Sequence, residues 1–501
     1  MKTVTETKGG PEPERVSADE SSSGLPPWGR DDLPEPLPFN ARNLFRTIGP
    51  GAILLATSIG GGEWLVGPAT SVQYGVGLFW IATVAILLQL VFNLEAIRYT
   101  LYTGEPIYSG FMRLKPGSRF WATAYVILTA MQLGIPAVAA ACAAPLFAAF
   151  AGRMPGAPDT GTLLWVTYGV IAVTVLILSL GGTIERTLEY VSWAMLAYIF
   201  VFLVGVNLFF VPLENWWRTL QGFFSFGHMP AGVDIALLGA LAATAGQGGV
   251  GNLTITNWVR DKGFGMGSRV GAIPGAFGSR KVKLSHTGKV FPVTAENLRR
   301  WRLWWKYVWA DQVWLWGLGC FVGMFLNVNL ATYIMPQGTN ISQIGAGAFQ
   351  AQYMAEHLWT GFWFLALLNG FWILFSTHLG NTDLLVRTIT DIVWVGSRRA
   401  RAWRGGDIRR VYYAILFGFT LWGLFAVSRG DAMSLFKVIA NMAGVVLAIA
   451  SVQLLIVGYR LLPRELQPPL WRRAVLVLCA LFYATFSALV IWSQVVKPLF
   501  G

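Results

Sequence analysis

The chain has 501 residues and a formal net charge of +13, yet 54% of it is hydrophobic and only 13% is charged, with a mean hydropathy of +0.53. Soluble domains carry about 25% charged residues, so this composition excludes an ordinary soluble enzyme or nucleic-acid-binding domain and describes a membrane protein. The cysteines Cys142, Cys320 and Cys479 all fall inside apolar runs; with no disulfide framework or zinc spacing they read as small core residues.

Residues 1–40 are rich in Pro, Ser, Gly and acids, with neither apolar periodicity nor the apolar centre of a signal peptide, and predict a disordered cytosolic tail. Beyond them, windows of about 19 residues find roughly eleven apolar runs, near 45–70, 76–98, 120–150, 163–180, 190–211, 234–258, 304–329, 359–394, 411–428, 435–459 and 474–494. The stretch from Ser268 to Thr294 reads as loop. Ala295–Trp305, where Trp and Arg are mixed, reads as an amphipathic interfacial helix leading into the seventh run.

The basic residues track one side of this layout. The connection 259–306 holds Arg260, Lys262, Arg269, Arg280, Lys281, Lys283, Lys289, Arg299, Arg300, Arg302 and Lys306, and the connection 387–410 holds Arg387, Arg398, Arg399, Arg401, Arg404, Arg409 and Arg410. Arg153, Arg218 and Arg429 are nearly all that the opposite side carries. Cytoplasmic connections concentrate Lys and Arg, which predicts an integral multi-pass protein with a cytoplasmic N-terminus.

Two apolar runs are interrupted by glycines in comparable places: Gly60-Gly61-Gly62-Glu63-Trp64 in the first, and Gly246-Gln247-Gly248-Gly249-Val250-Gly251-Asn252 in the sixth. Each glycine weakens a helix by about 1 kcal/mol relative to alanine, so both runs should unwind there. Unwound backbone at membrane depth is tolerated only where protein buries it or where it lines a polar cavity. A matched pair of interrupted spans points to a transporter's binding site at the interface of inverted repeats. The repeats would be 41–211 (spans 1–5) and 234–459 (spans 6–10), with 474–494 left over as span 11.

At the first break Glu63 is a carboxylate inside a span, which is costly and by default functional; the plain alternative is a packing partner for a neighbouring span. Gln247, Asn252 and Thr244 supply oxygens at the second break, each on its own more often a helix-end hydrogen bonder. With Gly60, Gly61 and Gly246 as backbone, they form an all-oxygen set suited to hard cations, with Glu63 and Gln247 as the expected metal ligands. Gln132 in span 3 and the cluster His378, Asn381 and Asp383 in span 8 are expected along the path. Asn441 could hydrogen-bond across the bundle, and His228, His286 and His357 are placed in loops.

Gly49-Pro50-Gly51, followed after eight residues by Gly60-Gly61-Gly62-Glu63-Trp64, resembles the first span of the Nramp family of divalent-metal transporters, which reads G-P-G and then D-P-G-N-W at the same spacing. Glu95–Gly104 is similar to the end of that family's second span, and Gly239–Arg260 to its sixth. The resemblance covers roughly 41–458 and implies an all-α, LeuT-type fold of 5+5 inverted repeats with about 11 transmembrane helices. Departures fall on the site. Where the family has its metal-binding Asp and Asn, this chain has Gly60 and Glu63; where it has Met, Pro and His, this chain has Gly246, Gln247 and Gly248; Leu253 and Gln132 stand where its proton route has His and acids. The implication carries fold and transport, and neither the family's soft-metal preference nor its proton coupling.

The function expected from the sequence is therefore alternating-access transport of a divalent cation, a hard one such as magnesium or manganese, without proton coupling. Glycines at both breaks would enlarge the cavity for an ion that dehydrates reluctantly. A same-fold transporter of a small organic solute such as an amino acid is the alternative, and a membrane sensor is disfavoured by the short, module-free tail. Catalytic spacings are missing from the spans, so no enzyme is expected. The expected partners are the metal ion and the lipid bilayer, with no cofactor, nucleic acid or partner protein.

Overall fold

The computed structural model describes residues 24–180, 183–276, 284–339, 346–403, 406–430 and 432–500. Eight of its helices are long and apolar enough to cross a membrane. Span 2 is Trp80–Thr103, span 4 Thr160–Ser179, span 5 Ile184–Phe210, span 8 Phe362–Gly396, span 10 Ala432–Arg460 and span 11 Leu470–Ile491. Span 3 is bent between Ser118–Leu133 and Ala137–Ala151, where Pro136 removes a backbone donor. Three more helical segments pack beside them. Span 1 (Pro50–Tyr74) and span 6 (Ile235–Lys262) are interrupted, and span 9 (Ile408–Ala426) carries Arg409 and Arg410 in its first turn. The all-α polytopic architecture expected from hydropathy is what forms.

The interfacial helix expected before span 7 is not a separate element. Ala295–Trp309 runs without a stop through a π-helical stretch, Ala310–Gly317, into Leu318–Ile334. Thr294 caps its start, its hydroxyl accepting from Asn297 N–H at 3.2 Å; no proline occurs before Pro336, and Gly317, Gly319 and Gly323 do not stop the helix. His357, expected in a loop, ends a further helix, Ala346–His357, that packs on spans 3, 7 and 8.

The disordered-tail expectation fails for residues 24–40, while residues 1–23 lie outside the described residues. Gly29–Arg30 pairs in parallel with Lys289–Val290, and Leu33 is fully buried. Arg300 and Trp304 donate to the carbonyls of Leu33 and Pro34 at 2.8 Å each, and Tyr307 to those of Leu37 and Pro38. Composition alone missed this because a proline-rich strand gets its partners from distant groups rather than from periodicity. The strap lies at the end of the bundle that carries residues 263–276 and 284–294, the inner end in the orientation expected from the charge pattern.

Two of the basic connections are also less exposed than expected. Arg260 and Lys262 belong to the last turn of span 6, and Arg387 is fully buried in span 8; Arg280, Lys281, Lys283 and Arg404 lie outside the described residues. Arg260 pairs with Asp391 at 2.8 Å and with Asp261 at 2.6 Å, and Arg387 bridges Asp383 and Asp261. A buried charge is retained only when paired and hydrogen-bonded, so these arginines lock spans 6 and 8 together. Asn441, as expected, reaches across the bundle and donates to the Ala236 carbonyl at 3.1 Å.

Candidate functional site

The interruptions of spans 1 and 6 differ in kind. In span 1 the helix Pro50–Ser58 passes through Ile59-Gly60 into a π-helical turn, Gly61–Val66, and on into Gly67–Tyr74. The wholly unwound stretch expected there is absent; the glycines loosen the turn without opening it. In span 6 the chain does unwind between Ile235–Thr244 and Val250–Lys262, with Gly246, Gly248 and Gly249 at φ of 96°, 82° and 59°. Such angles favour glycine over any residue with a Cβ, which is why three glycines stand there.

The expectation that the glycines widen a cavity is also corrected. A Cβ on Gly246 would lie 2.8 Å from Gln89 Oε1 and 3.3 Å from Trp316, and one on Gly60 would meet the Ile373 carbonyl at 2.8 Å and Thr377. Gly62 packs on the Thr244 carbonyl. Gly60 and Gly62 are glycine so that span 1 can touch spans 8 and 6 at their backbones, and Gly246 so that the Gln89 and Trp316 side chains can close on it.

Glu63 sits in the π-helical turn, fully buried. Its Oε1 accepts from Gly246 N–H at 3.2 Å, so one carboxylate joins the two interruptions, and its Oε2 has no partner. Ser58 Oγ lies 2.9 Å from Gln247 Oε1 and receives Trp316 Nε1–H at 3.2 Å, while Gln247 Nε2 donates to Asn381 at 3.3 Å. Glu63 and Gly246 thus come together, as do Gln247 and Asn381. Cys320, expected only to fill space, lies beside both Ser58 and Glu63. No group of three or more His, Cys, Asp and Glu side chains converges among the described residues, so one carboxylate and neutral oxygens make up the donor set.

Other expected residues take different places. Asn252 donates to Asn93 at 2.9 Å, and Asn93 donates to Gln312, in a network separate from the contacts of Glu63. Thr244 Oγ1 bonds its own helix, at the Ala240 carbonyl. Gln132 clamps the span 6 interruption, accepting from Val250 N–H at 2.9 Å and donating to the Gly248 carbonyl at 3.1 Å. Asp383 is not a free path residue. Arg387, Trp258 and Tyr412 occupy both of its oxygens. His378 is buried with Nε2 unpartnered and lines a small cavity with Pro136, Thr382 and Phe419.

Two residues that hold the site were overlooked in the sequence. Gln89 of span 2 accepts from the N–H groups of Gln247 and Gly248 at 3.0 Å each and donates to the Ala245 carbonyl at 2.8 Å. Asp311 of span 7 accepts from Gly49 and Gly51 N–H at 3.0 and 2.8 Å. The available signal was a polar side chain within an apolar run.

No protein-family model and no curated protein matches this chain. Solved structures do. Crystal structures of the Eremococcus coleocola manganese transporter, two of them mutants, superpose on 97% of this chain and 92% of theirs, with TM-scores of 0.60 and 0.61 at 13% sequence identity. Its complex with an aromatic bis-isothiourea substituted compound gives a TM-score of 0.59. The chain has an Nramp-like fold. The resemblance read from Gly49-Pro50-Gly51 and the glycine-rich turn after it thus holds for the backbone, and the packing explains the first motif. Gly49 abuts the Glu189 carboxylate, Pro50 opens the helix, and Gly51 abuts Asp311. An Nramp-like fold is a LeuT-type fold, with interrupted spans 1 and 6 side by side, where Glu63 and Gly246 meet.

Proposed function

We propose that this protein is a multi-pass membrane transporter, with its N-terminus in the cytoplasm, that moves a divalent metal cation past Glu63 by alternating access. The supporting observation is Glu63 Oε2, a carboxylate oxygen buried at the junction of two interrupted helices with no hydrogen-bond partner, beside the Cys320 thiol. An uncompensated buried carboxylate costs several kcal/mol or more; a cation at that oxygen removes the cost. The matching fold of a manganese transporter agrees with this cargo.

The remaining donors favour a hard ion such as magnesium or manganese. Gln247, Asn381 and Ser58 offer neutral oxygens, against which Cys320 adds a single sulfur. The organic-solute alternative is weaker. A substrate carboxylate would need free N–H groups at the span 6 interruption, and those of Gly246, Gln247, Gly248 and Val250 are taken by Glu63, Gln89 and Gln132. Transport proceeds without an obligatory proton, since Leu253 and Gln132 occupy the places where the Nramp family has its proton route, and Asp383 is held by Arg387.

Uptake of magnesium, manganese and a panel of amino acids in proteoliposomes tests the reading. Glu63→Gln should keep the fold and weaken the apparent affinity for the metal at least severalfold. Unchanged metal kinetics in that variant, or uptake of amino acids alone, would overturn it.

A further inference from the structure

Beyond Glu63, toward the outer end, the structure holds an unusual concentration of buried polar groups without partners. Asn327 of span 7, Asn369 of span 8 and Gln350 of the helix Ala346–His357 are all within 1% of complete burial, and in each both the amide nitrogen and oxygen lack a hydrogen bond. Thr70 of span 1 is likewise buried, with its hydroxyl unpartnered. A buried polar atom left unsatisfied costs about 1–3 kcal/mol, and native interiors hold few of them. Leucine at these positions would avoid that cost.

Their placement is not scattered. Along span 8, Asn369 shares a face with Ile373, Ser376, Thr377 and Gly380, spaced at i+4, i+7, i+8 and i+11. That face lies on span 1: Ser376 donates to the Ala56 carbonyl at 2.8 Å, Gly60 N–H donates to Thr377 at 2.9 Å, and Gly380 abuts Thr57. Along span 7, Asn327 shares a face with Cys320, Gly323 and Met324. Those residues also lie on span 1, against Glu63, Ile59 and Gly67 respectively. The helix Ala346–His357 packs on spans 7 and 8 and on the π-helical turn that carries Glu63. The amides therefore flank the outer half of span 1, directly beyond the carboxylate.

We propose that the outer part of the path runs along span 1 between spans 7 and 8, beneath the helix Ala346–His357, and that Asn327, Asn369, Gln350 and Thr70 line it as a neutral coordinating antechamber for a hydrated divalent cation. This rests on the reading of Glu63 as the ion's charged ligand. Amide oxygens and their bridging waters suit an ion that sheds its hydration shell reluctantly. Being neutral, they pass the ion on to Glu63 instead of trapping it. An apolar solute finds no use for three amides, and an anion would meet Glu63 at the end of the column.

The test uses full-length protein in intact cells, with Asn327→Cys and Asn369→Cys exposed to a membrane-impermeant thiol reagent added outside. Cys320 lies on the same face of span 7 beside Glu63, so the substitutions are made in a Cys320→Ser background, and that background without an introduced thiol is the control. Both introduced thiols should react, and millimolar magnesium or manganese should slow the reaction severalfold. Asn327→Leu and Asn369→Leu should cut metal uptake severalfold while melting no lower than the parent, because an apolar isostere removes an orphaned group. If neither thiol reacts in folded, transporting protein, or if both Leu variants transport normally, the path lies elsewhere. Thiols that react at a rate indifferent to either metal would leave the lining in place and overturn the metal reading itself.

Discussion

Asp311 accepts hydrogen bonds from Gly49 and Gly51, and so ties the first turn of span 1 to the middle of span 7. The carboxylate fills the role of a helix cap, supplied from another helix: it satisfies N–H groups that a helix N-terminus leaves open and lies at the positive end of its dipole. Gly49 and Gly51 are glycine because Glu189 and Asp311 come so close.

Asp311→Ala should therefore destabilise the protein by about 1–3 kcal/mol, the cost of orphaning buried donors. Asp311→Asn, which keeps an acceptor oxygen, should lose less. A melting series in detergent that ranks wild type above Asn and Asn above Ala is expected; equal melting of all three would mean that span 1 is held by other contacts.

The two glycine-rich turns should respond differently to alanine. Gly246 has φ of 96° and its Cβ would press on Gln89 and Trp316, so Gly246→Ala should abolish uptake, and Gly246→Leu should do so with membrane insertion intact. Gly61 has room except for Phe436 at 3.1 Å, and Gly61→Ala should retain most uptake. Comparable losses in both would contradict the distinction between an unwound span 6 and a helical span 1.

Cys320 separates hard from soft selectivity. With oxygens doing the coordination, Cys320→Ser should leave magnesium and manganese uptake within about twofold of the parent. A collapse of manganese or cadmium uptake in this variant, with magnesium unaffected, would assign the thiol to the metal and move the cargo toward softer ions.

Asp383 tests coupling. Removing one partner of a buried ion pair costs about 3–5 kcal/mol, so Asp383→Asn should lower the melting temperature by leaving Arg387 with Asp261 alone. Internal pH, followed with a trapped dye during metal entry into wild-type vesicles, should stay flat. Acidification that tracks uptake would reinstate a proton partner.

How much of this was legible in the sequence differs from residue to residue. Glu63, Gln247 and the paired glycine clusters stand out in one dimension because a carboxylate or a run of glycines inside a span violates a local rule. Asn381 and Gln132 were legible as polar residues in apolar surroundings. That Gln132 clamps backbone while Asn381 meets Gln247 was not, since a buried amide's role depends on which helix happens to face it. Asp383 looked like a path residue until Arg387, one turn along and fully buried, was seen to neutralise it.

Hydropathy and charge by themselves determined that this chain crosses the membrane many times and where spans 1 and 6 are weak, because the bilayer imposes length and apolarity on each span separately. Tertiary structure alone decided what those weak points do. Span 1 keeps a π-helical turn because Thr377, Thr244 and Phe436 pack against it, while span 6 opens because Gln89 and Gln132 take over its N–H groups. The order of residues 24–40 was decided in the same way, by Arg300, Trp304 and Tyr307 receiving a strap with no pattern of its own. Local sequence can announce that a hydrogen bond will be missing; which distant side chain replaces it, or whether Glu63 Oε2 is left without one, is settled only when the spans come together.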